Sequence, residues 1–402
     1  MINPFKSSLR ALKSATFAIG LVPLATASLA EEVTLHTHDG QLTLTGDFIA
    51  FENNTYVIQS SYGPLRIGGD LVTCSGPGCP ATQISAGEPV VWDVSLWGSR
   101  RAFTEHVERL SELVAERTDG LFQINISYGG LAEARENLDG IAAGDFEMAQ
   151  FCAGYHPDKN PAITVLELPF LGVSSLEQEI DLSLAVYAHS ATQADMARWN
   201  AILLMPSPLP QYNIVGTGLP PTSLADFGKL KVRATGGIGD AVASLGAELV
   251  PIPAPAVRDA MESGEVNAVS FAPHAHMSFG TVERATWWTT NLNPGTVNCP
   301  VVVNSYAMER LPDMYRIALI SSVPDALDHY VAHYNGATMD AWGPALKENG
   351  VMELTINSAI LASINEAVAA PAAANWIAEN ALKGLPAREL YDLVVRKVSS
   401  WN

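Results

Sequence analysis

The sequence predicts an α/β protein in two halves, preceded by a small all-β module. Three observations carry that reading. Residues 31–80 alternate apolar and polar side chains around turn dipeptides. From Val90 onward, short apolar runs alternate with segments of helical period, which is the pattern of a parallel-rich sheet covered by helices. The same alternation restarts after Asp226.

The first element is a leader. Lys6, Arg10 and Lys13 are the only charged side chains before Glu31, and they precede an apolar, small-residue run from Ala15 to Ala30. Ser28 and Ala30 stand at the −3 and −1 positions of a cleavage site before Glu31-Glu32. That order is a secretory signal over residues 1–30. The alternative, a membrane anchor, needs roughly 20 strongly apolar residues, and this run is shorter and holds Pro23. No later stretch reaches the ~18 uninterrupted apolar residues of a span.

The β module follows. Val33, Leu35, Leu42 and Leu44 alternate around Asp39-Gly40, a hairpin signal. Phe48 to Phe51, Asn53-Asn54 and Tyr56 to Ile58 read as a second hairpin, and Tyr62 to Ile67 as a further strand. Residues 81–89 read as a linker.

In the first α/β half, Val90 to Ser95 is a buried strand. Phe103, Val107, Leu110 and Val114 have helical spacing and stop at Asp119-Gly120. Phe122 to Ile126 is a strand, Asn137 to Ala143 a helix, and Phe146 to Phe151 a strand. In the second half, Lys231 to Arg233, Glu248 to Ile252 and Ala268 to Phe271 are strands. Helices over Ile238–Leu245 and Ala256–Ser263 separate them. From about Asp313 the chain is mostly helical.

Composition narrows the function. The 402 residues are 48% hydrophobic and 16% charged, which suits sizeable cores and excludes disorder. The net charge of −19 becomes −22 without the three leader cations. So acidic a chain is unsuited to nucleic acid or an anionic membrane. An anionic ligand would need local cations or helix N-termini. Four cysteines in an exported chain suggest disulfides. Cys74 and Cys79 flank the turn Ser-Gly-Pro-Gly and form the natural pair. Cys152 and Cys299 either pair with each other or remain buried thiols.

From Trp92 to Asn402 the chain resembles the TRAP-type (tripartite ATP-independent periplasmic) dicarboxylate solute-binding family. The resemblance rests on ordered motifs. Gly129-Gly130 precedes Asn137-Leu-Asp-Gly-Ile-Ala-Ala-Gly144 and Phe146-Glu-Met148. Glu167-Leu-Pro-Phe-Leu171 and Trp199-Asn200 follow. Leu224-Ala-Asp-Phe-Gly-Lys-Leu-Lys-Val-Arg233 comes next, then Leu245-Gly-Ala247, Ala260 to Ala268, Asn304 and Leu311-Pro312. The resemblance implies a two-lobed periplasmic binding protein fold with discontinuous lobes and a hinge cleft. The implied domains are residues 90–402, with lobe one at about 90–211 and 300–345, and lobe two at about 212–299 and 346–402. It also implies a periplasmic protein that captures a small organic acid and hands it to TRAP membrane permease subunits.

Arg233 leads the candidate ligand contacts. Its guanidinium is a planar, permanently charged fork that matches a carboxylate. By position alone a structural Arg at a strand end reads equally well; the resemblance implies the carboxylate pair. Ala-Thr-Gly-Gly-Ile-Gly239 follows it, a glycine-rich helix start whose free N–H groups favour an anion. Its spacing does not match a dinucleotide fingerprint. Strand ends supply the other expected walls: Ser95, Trp97 and Gly98, then Phe151 and Tyr155, then Ser270, Phe271 and His274, and finally Asn304. Core packing is the competing reading for Trp97 and Phe151, and loop capping for Ser270.

The chain also departs from the family. Sialic-acid and dicarboxylate binders carry a second Arg in the stretch that here reads Gln211-Tyr-Asn-Ile-Val-Gly-Thr-Gly218. The later polar stretch has become Asn267-Ala-Val-Ser-Phe-Ala-Pro273. The expected site is therefore more aromatic and less charged, favouring a monocarboxylate or 2-oxo acid over a dicarboxylate. Arg100 and Arg101 after the first strand are candidates for a second cation, against the reading of a solvated helix start.

No cofactor is expected. His36/His38, His274/His276 and His329/His333 lack the further ligands of a zinc site. Some 2-oxo-acid binders of the family hold a cation beside the carboxylate, so the resemblance leaves room for one. No nucleophile elbow or His-Glu-x-x-His motif is present, and Cys152 near His156 is explained by packing or a disulfide, so catalysis is not expected. The alternative function is ligand sensing for a membrane receptor.

Overall fold

The computed structural model describes residues 32–37, 42–52, 55–60, 63–69, 71–76, 78–79 and 87–401. The leader at 1–30, the turns at Asp39-Gly40 and Asn53-Asn54, and residues 81–86 of the linker lie outside the described residues. The chain divides into two compact units between residues 80 and 81.

The first unit is one sheet of β1 (Glu32–Thr37), β2 (Thr43–Glu52), β3 (Thr55–Ser60), β4 (Gly63–Gly68) and β5 (Val72–Ser75), in the order β4-β3-β2-β1-β5. Every pairing is antiparallel. Period-two patterning puts Val33, Leu35, Tyr56, Ile58 and Val72 together in a small core. A Cys74–Cys79 disulfide closes the loop after β5.

The second unit begins with β6 (Val90–Leu96), α1 (Glu105–Arg117), β7 (Phe122–Tyr128), α2 (Asn137–Ala143), β8 (Met148–Gln150), α3 (Leu176–Tyr187), α4 (Ser190–Ala197) and β9 (Ala201–Met205). It crosses to β10 (Asn213–Gly216), β11 (Lys231–Arg233), α5 (Gly236–Ser244), β12 (Glu248–Leu249), α6 (Val257–Ser263), β13 (Ala268–Phe271), α7 (Pro273–Ser278) and β14 (Trp287–Thr289). It returns for β15 (Val301–Asn304), α8 (Ser305–Arg310) and α9 (Asp313–His333). The chain ends in α10 (Met339–Glu348), β16 (Met352–Leu354), α11 (Ser358–Leu382) and α12 (Ala387–Ser399).

Two sheets result. The first half holds β7-β6-β8-β15-β9 and the second β12-β11-β13-β10-β14-β16. Both are mixed. β6 runs parallel to β7 and β8, but β15 is antiparallel to β8 and β9. β11 runs parallel to β12 and β13, but β10 is antiparallel to β13 and β14. The antiparallel members are the strands that enter or leave each half.

The last lobe boundary differs from the expectation. The crossing placed near residue 345 lies earlier, at a π-helical turn over Tyr334–Thr338. Before it, α9 packs on α1 of the first half; after it, α10 packs on α7 of the second. The C-terminal helices do not stay with the second half as expected. Ile364 and Val368 of α11 join the second half's core, whereas Ala373, Leu390 and Val394 join a core of the first. α11 is 25 residues long, so at 1.5 Å per residue it reaches across both halves.

Candidate functional site

β11 ends at Arg233, beside the parallel strand β13: Val232 faces Ala268 and Arg233 faces Val269. The side chain is only 2% exposed. Nε donates to the Ile252 carbonyl at 3.0 Å, and Nη2 donates to the Tyr155 hydroxyl at 3.3 Å. The guanidinium carbon sits 4.5 Å from the Phe271 ring centroid. These groups hold its plane without supplying a negative charge. A buried cation that lacks an anionic partner is costly unless something else neutralises it.

Tyr155 belongs to the first half, in a 3-10 turn over Ala153–Tyr155 after β8. Its hydroxyl also accepts from the Ala254 backbone N–H at 3.2 Å. Where the halves meet, a cavity is lined by Trp97, Phe103 and Tyr155 on one side and by Arg233, Phe271 and Phe279 on the other. Its free volume is about 30 Å³, so the two walls nearly touch. Cys152 and Cys299 also line it, and they form a disulfide that ties the end of β8 to the segment crossing into β15.

His274 lines the cavity as well, stacked 5.5 Å from Phe103 with Nδ1 2.9 Å from the Tyr334 hydroxyl. Burial holds its pKa well below the ordinary histidine value, so it is neutral and adds no cation. Among the described residues, no three His, Cys, Asp or Glu side chains converge as a metal site.

The remaining expected contacts serve the scaffold. Phe151 is fully buried in a core of the first half, edge-on to His156. Ser95 donates to Asn137 Oδ1 at 2.6 Å and ties β6 to α2. Asn304 caps α8 by accepting from the Ala307 N–H, and it donates to the Ile141 carbonyl. Ser270 is buried in β13, and its hydroxyl has no hydrogen-bond partner. Gly98 turns the chain at φ +75° beneath the Arg101 guanidinium. None of these five lines the cavity.

The glycines after Arg233 also have a local cause. Glu167 accepts from the backbone N–H groups of Gly154 and Asn298 at 3.1 and 3.0 Å. Burial pushes its carboxyl up to about 7. A Cβ on Gly236 would lie 2.0 Å from Glu167 Oε2, and one on Gly237 2.0 Å from the Glu167 carbonyl oxygen. The glycines let α5 seat against this segment, so the helix start already faces an internal carboxyl.

Sequence reasoning missed Phe103, Tyr212, Thr235, Phe279 and the cavity-facing role of the disulfide. Tyr212 stands in the stretch that drew attention for its missing Arg, immediately before β10. Thr235 follows Arg233 by two residues. The sequence places Phe103 only on a helix face, and Phe279, just after α7, carries no sequence signal.

Residues 94–378 match the profile of the bacterial extracellular solute-binding protein family 7, DctP. The chain belongs to this family. Its fold is that of TRAP solute-binding proteins. One similar structure is a marine metagenome TRAP solute-binding protein from an unidentified microbe, specific for aromatic acids and crystallised with 3-hydroxybenzoate. It is 20% identical with a TM-score of 0.69, over 79% of this chain and 100% of that one. A second is DctP7 of Bordetella pertussis, a receptor binding pyroglutamic acid, 20% identical with a TM-score of 0.67, over 76% and 99%. A third, from Desulfovibrio salexigens, holds orotic acid and is 18% identical with a TM-score of 0.67, over 77% and 99%. This family 7 member is thus a transport protein of the solute-binding type. No helix among its described residues is long and apolar enough to cross a membrane.

Proposed function

We propose that this protein captures a small ring-bearing carboxylic acid in the cavity between its halves. Arg233 pairs with the carboxylate, and the protein, in the periplasm, delivers the acid to TRAP membrane permease subunits. The observation that carries the reading is the burial of Arg233 in the cavity wall with no acidic partner among the described residues. A carboxylate there restores charge balance and completes the guanidinium's hydrogen bonds. The rings of Trp97, Phe103, Tyr155, Phe271 and Phe279 favour a flat, apolar body. The 3-hydroxybenzoate, pyroglutamic acid and orotic acid held by similar proteins are all ring-bearing acids. The reading calls for binding and release, with no nucleophile, no metal and no cofactor, and for export through the leader at 1–30.

A thermal-shift screen of organic acids, with and without calcium, followed by titration calorimetry, tests it. Ligand at about 100 times its dissociation constant adds ~2.7 kcal/mol to stability. Arg233→Ala is expected to weaken binding by ~2–5 kcal/mol, well over tenfold. Wild-type affinity in that variant would remove Arg233 from the mechanism.

A further inference from the structure

Two adjacent arginines follow β6, and the structure separates their roles. Arg100 is at the surface and ion-pairs with Glu108. Arg101 is 7% exposed and, among the described residues, has no carboxylate paired with it. Its Nη1 donates to the carbonyls of Trp97 and Ser99 at 3.0 and 2.7 Å. Nε and Nη2 are buried without any partner, and so is Nε1 of the neighbouring Trp97. The guanidinium carbon lies 4.3, 5.4 and 5.7 Å from the ring centroids of Trp97, Phe103 and Phe279, all three of which line the cavity. A side chain on Gly98 would press on it, with a Cβ 3.2 Å from Nη1. Burial lowers its pKa only to about 10, so the group stays charged at neutral pH.

Arg233 is in the cavity lining, whereas Arg101 lies behind it, against the rings of Trp97, Phe103 and Phe279 that form the wall. Arg233 rests on Phe271, Arg101 approaches Phe279, and those two rings are 5.6 Å apart. Every unpartnered atom of Arg101 and Trp97 is a donor. Unpaired buried donors cost stability, and a group that meets them only when the right solute is bound discriminates strongly against solutes lacking an acceptor.

We infer that Arg101, with Trp97 Nε1, is a specificity-determining site for a second acceptor oxygen on the ligand, borne by the ring at the end away from the carboxylate that Arg233 holds. This rests on the ring-acid reading of the same cavity. It also revises the sequence-based preference for a site with one cation. A phenolic hydroxyl and a second carboxylate are the two forms the oxygen can take.

The test is titration calorimetry with benzoate, 3-hydroxybenzoate and isophthalate. The wild type is expected to bind one or both of the acceptor-bearing acids about tenfold or more tightly than benzoate. In Arg101→Met that ratio is expected to fall to within about threefold of unity, even if all affinities drop. The better of 3-hydroxybenzoate and isophthalate identifies the oxygen's form. A wild type that binds benzoate as tightly as the other two overturns the Arg101 assignment while leaving the ring-acid reading standing. A preference that survives Arg101→Met overturns it too. Failure of all three acids to bind the wild type overturns both readings. Should Arg101→Met not fold, Arg101→Lys, which keeps the charge but loses the fork, is read by the same ratios.

Discussion

The Tyr155 hydroxyl accepts from Arg233 Nη2 at 3.3 Å and from the Ala254 backbone N–H at 3.2 Å, so one phenol of the first half satisfies two donors of the second. Tyr155→Phe keeps the ring and its 6.1 Å approach to Trp97 but strands both donors. Leaving a buried donor unpaired costs ~1–3 kcal/mol. The expected result is a fall in ligand affinity of about tenfold or more, with the free protein's fold intact by circular dichroism. Unchanged affinity would mean that the bridge plays no part in holding the halves around a ligand.

The Cys152–Cys299 disulfide joins residues 147 positions apart and also walls the cavity. The Cys74–Cys79 disulfide closes a loop in the separate β module. Replacing Cys152 and Cys299 by Ser is expected to cost ~2–5 kcal/mol of stability and to weaken ligand binding. Replacing Cys74 and Cys79 should leave ligand affinity unchanged. Calorimetry on the two double variants decides. Equal affinity in both would make the long-range bond purely a staple.

The strands and helices of the two halves were readable because their apolar periods are clean. Lys231–Arg233, Ala268–Phe271 and Asn137–Ala143 stand where the pattern placed them. Arg233 was legible because it closes a recognisable strand. Trp97, Tyr155, Phe271 and His274 followed from the rule that strand ends face the cleft. That rule failed for Ser95, Phe151 and Asn304. It fixes an end of the sheet but not which way a side chain turns, and all three turn into cores or caps. Arg101 was ambiguous beside Arg100 for the same reason. The burial of Arg101 depends on Trp97 and Phe279, and Phe279 is remote in sequence.

The pH dependence of stability follows from buried groups of opposite sign. Burial lowers the pKa of His106 and His276 to about 3 and of His156 to about 4, from an ordinary 6.5. The unfolded chain therefore binds more protons than the folded one below pH 6.5, so stability is lost as pH falls through that window. Burial raises Glu167 to about 7 and Glu179 to about 8, from 4.5. Here the folded chain binds more protons, so this contribution is complete below pH 4.5 and is lost progressively as pH rises from there to about 7 for Glu167 and about 8 for Glu179. Below 6.5 these three histidines, together with His274, whose pKa burial also lowers, outweigh the two carboxyls; above it only the carboxyls titrate. Melting temperature is thus expected to peak near pH 6.5 and to fall between 6.5 and 8. Glu179→Gln, which keeps the shape of the side chain and its neighbours Asn298 and Ser183, should flatten the alkaline fall and steepen the loss on the acid side, where Glu179 no longer opposes the histidines. A melting series on both proteins from about pH 5 to about pH 9 checks this. A curve still rising between 6.5 and 8 would show that Glu167 and Glu179 ionise in the folded protein without penalty.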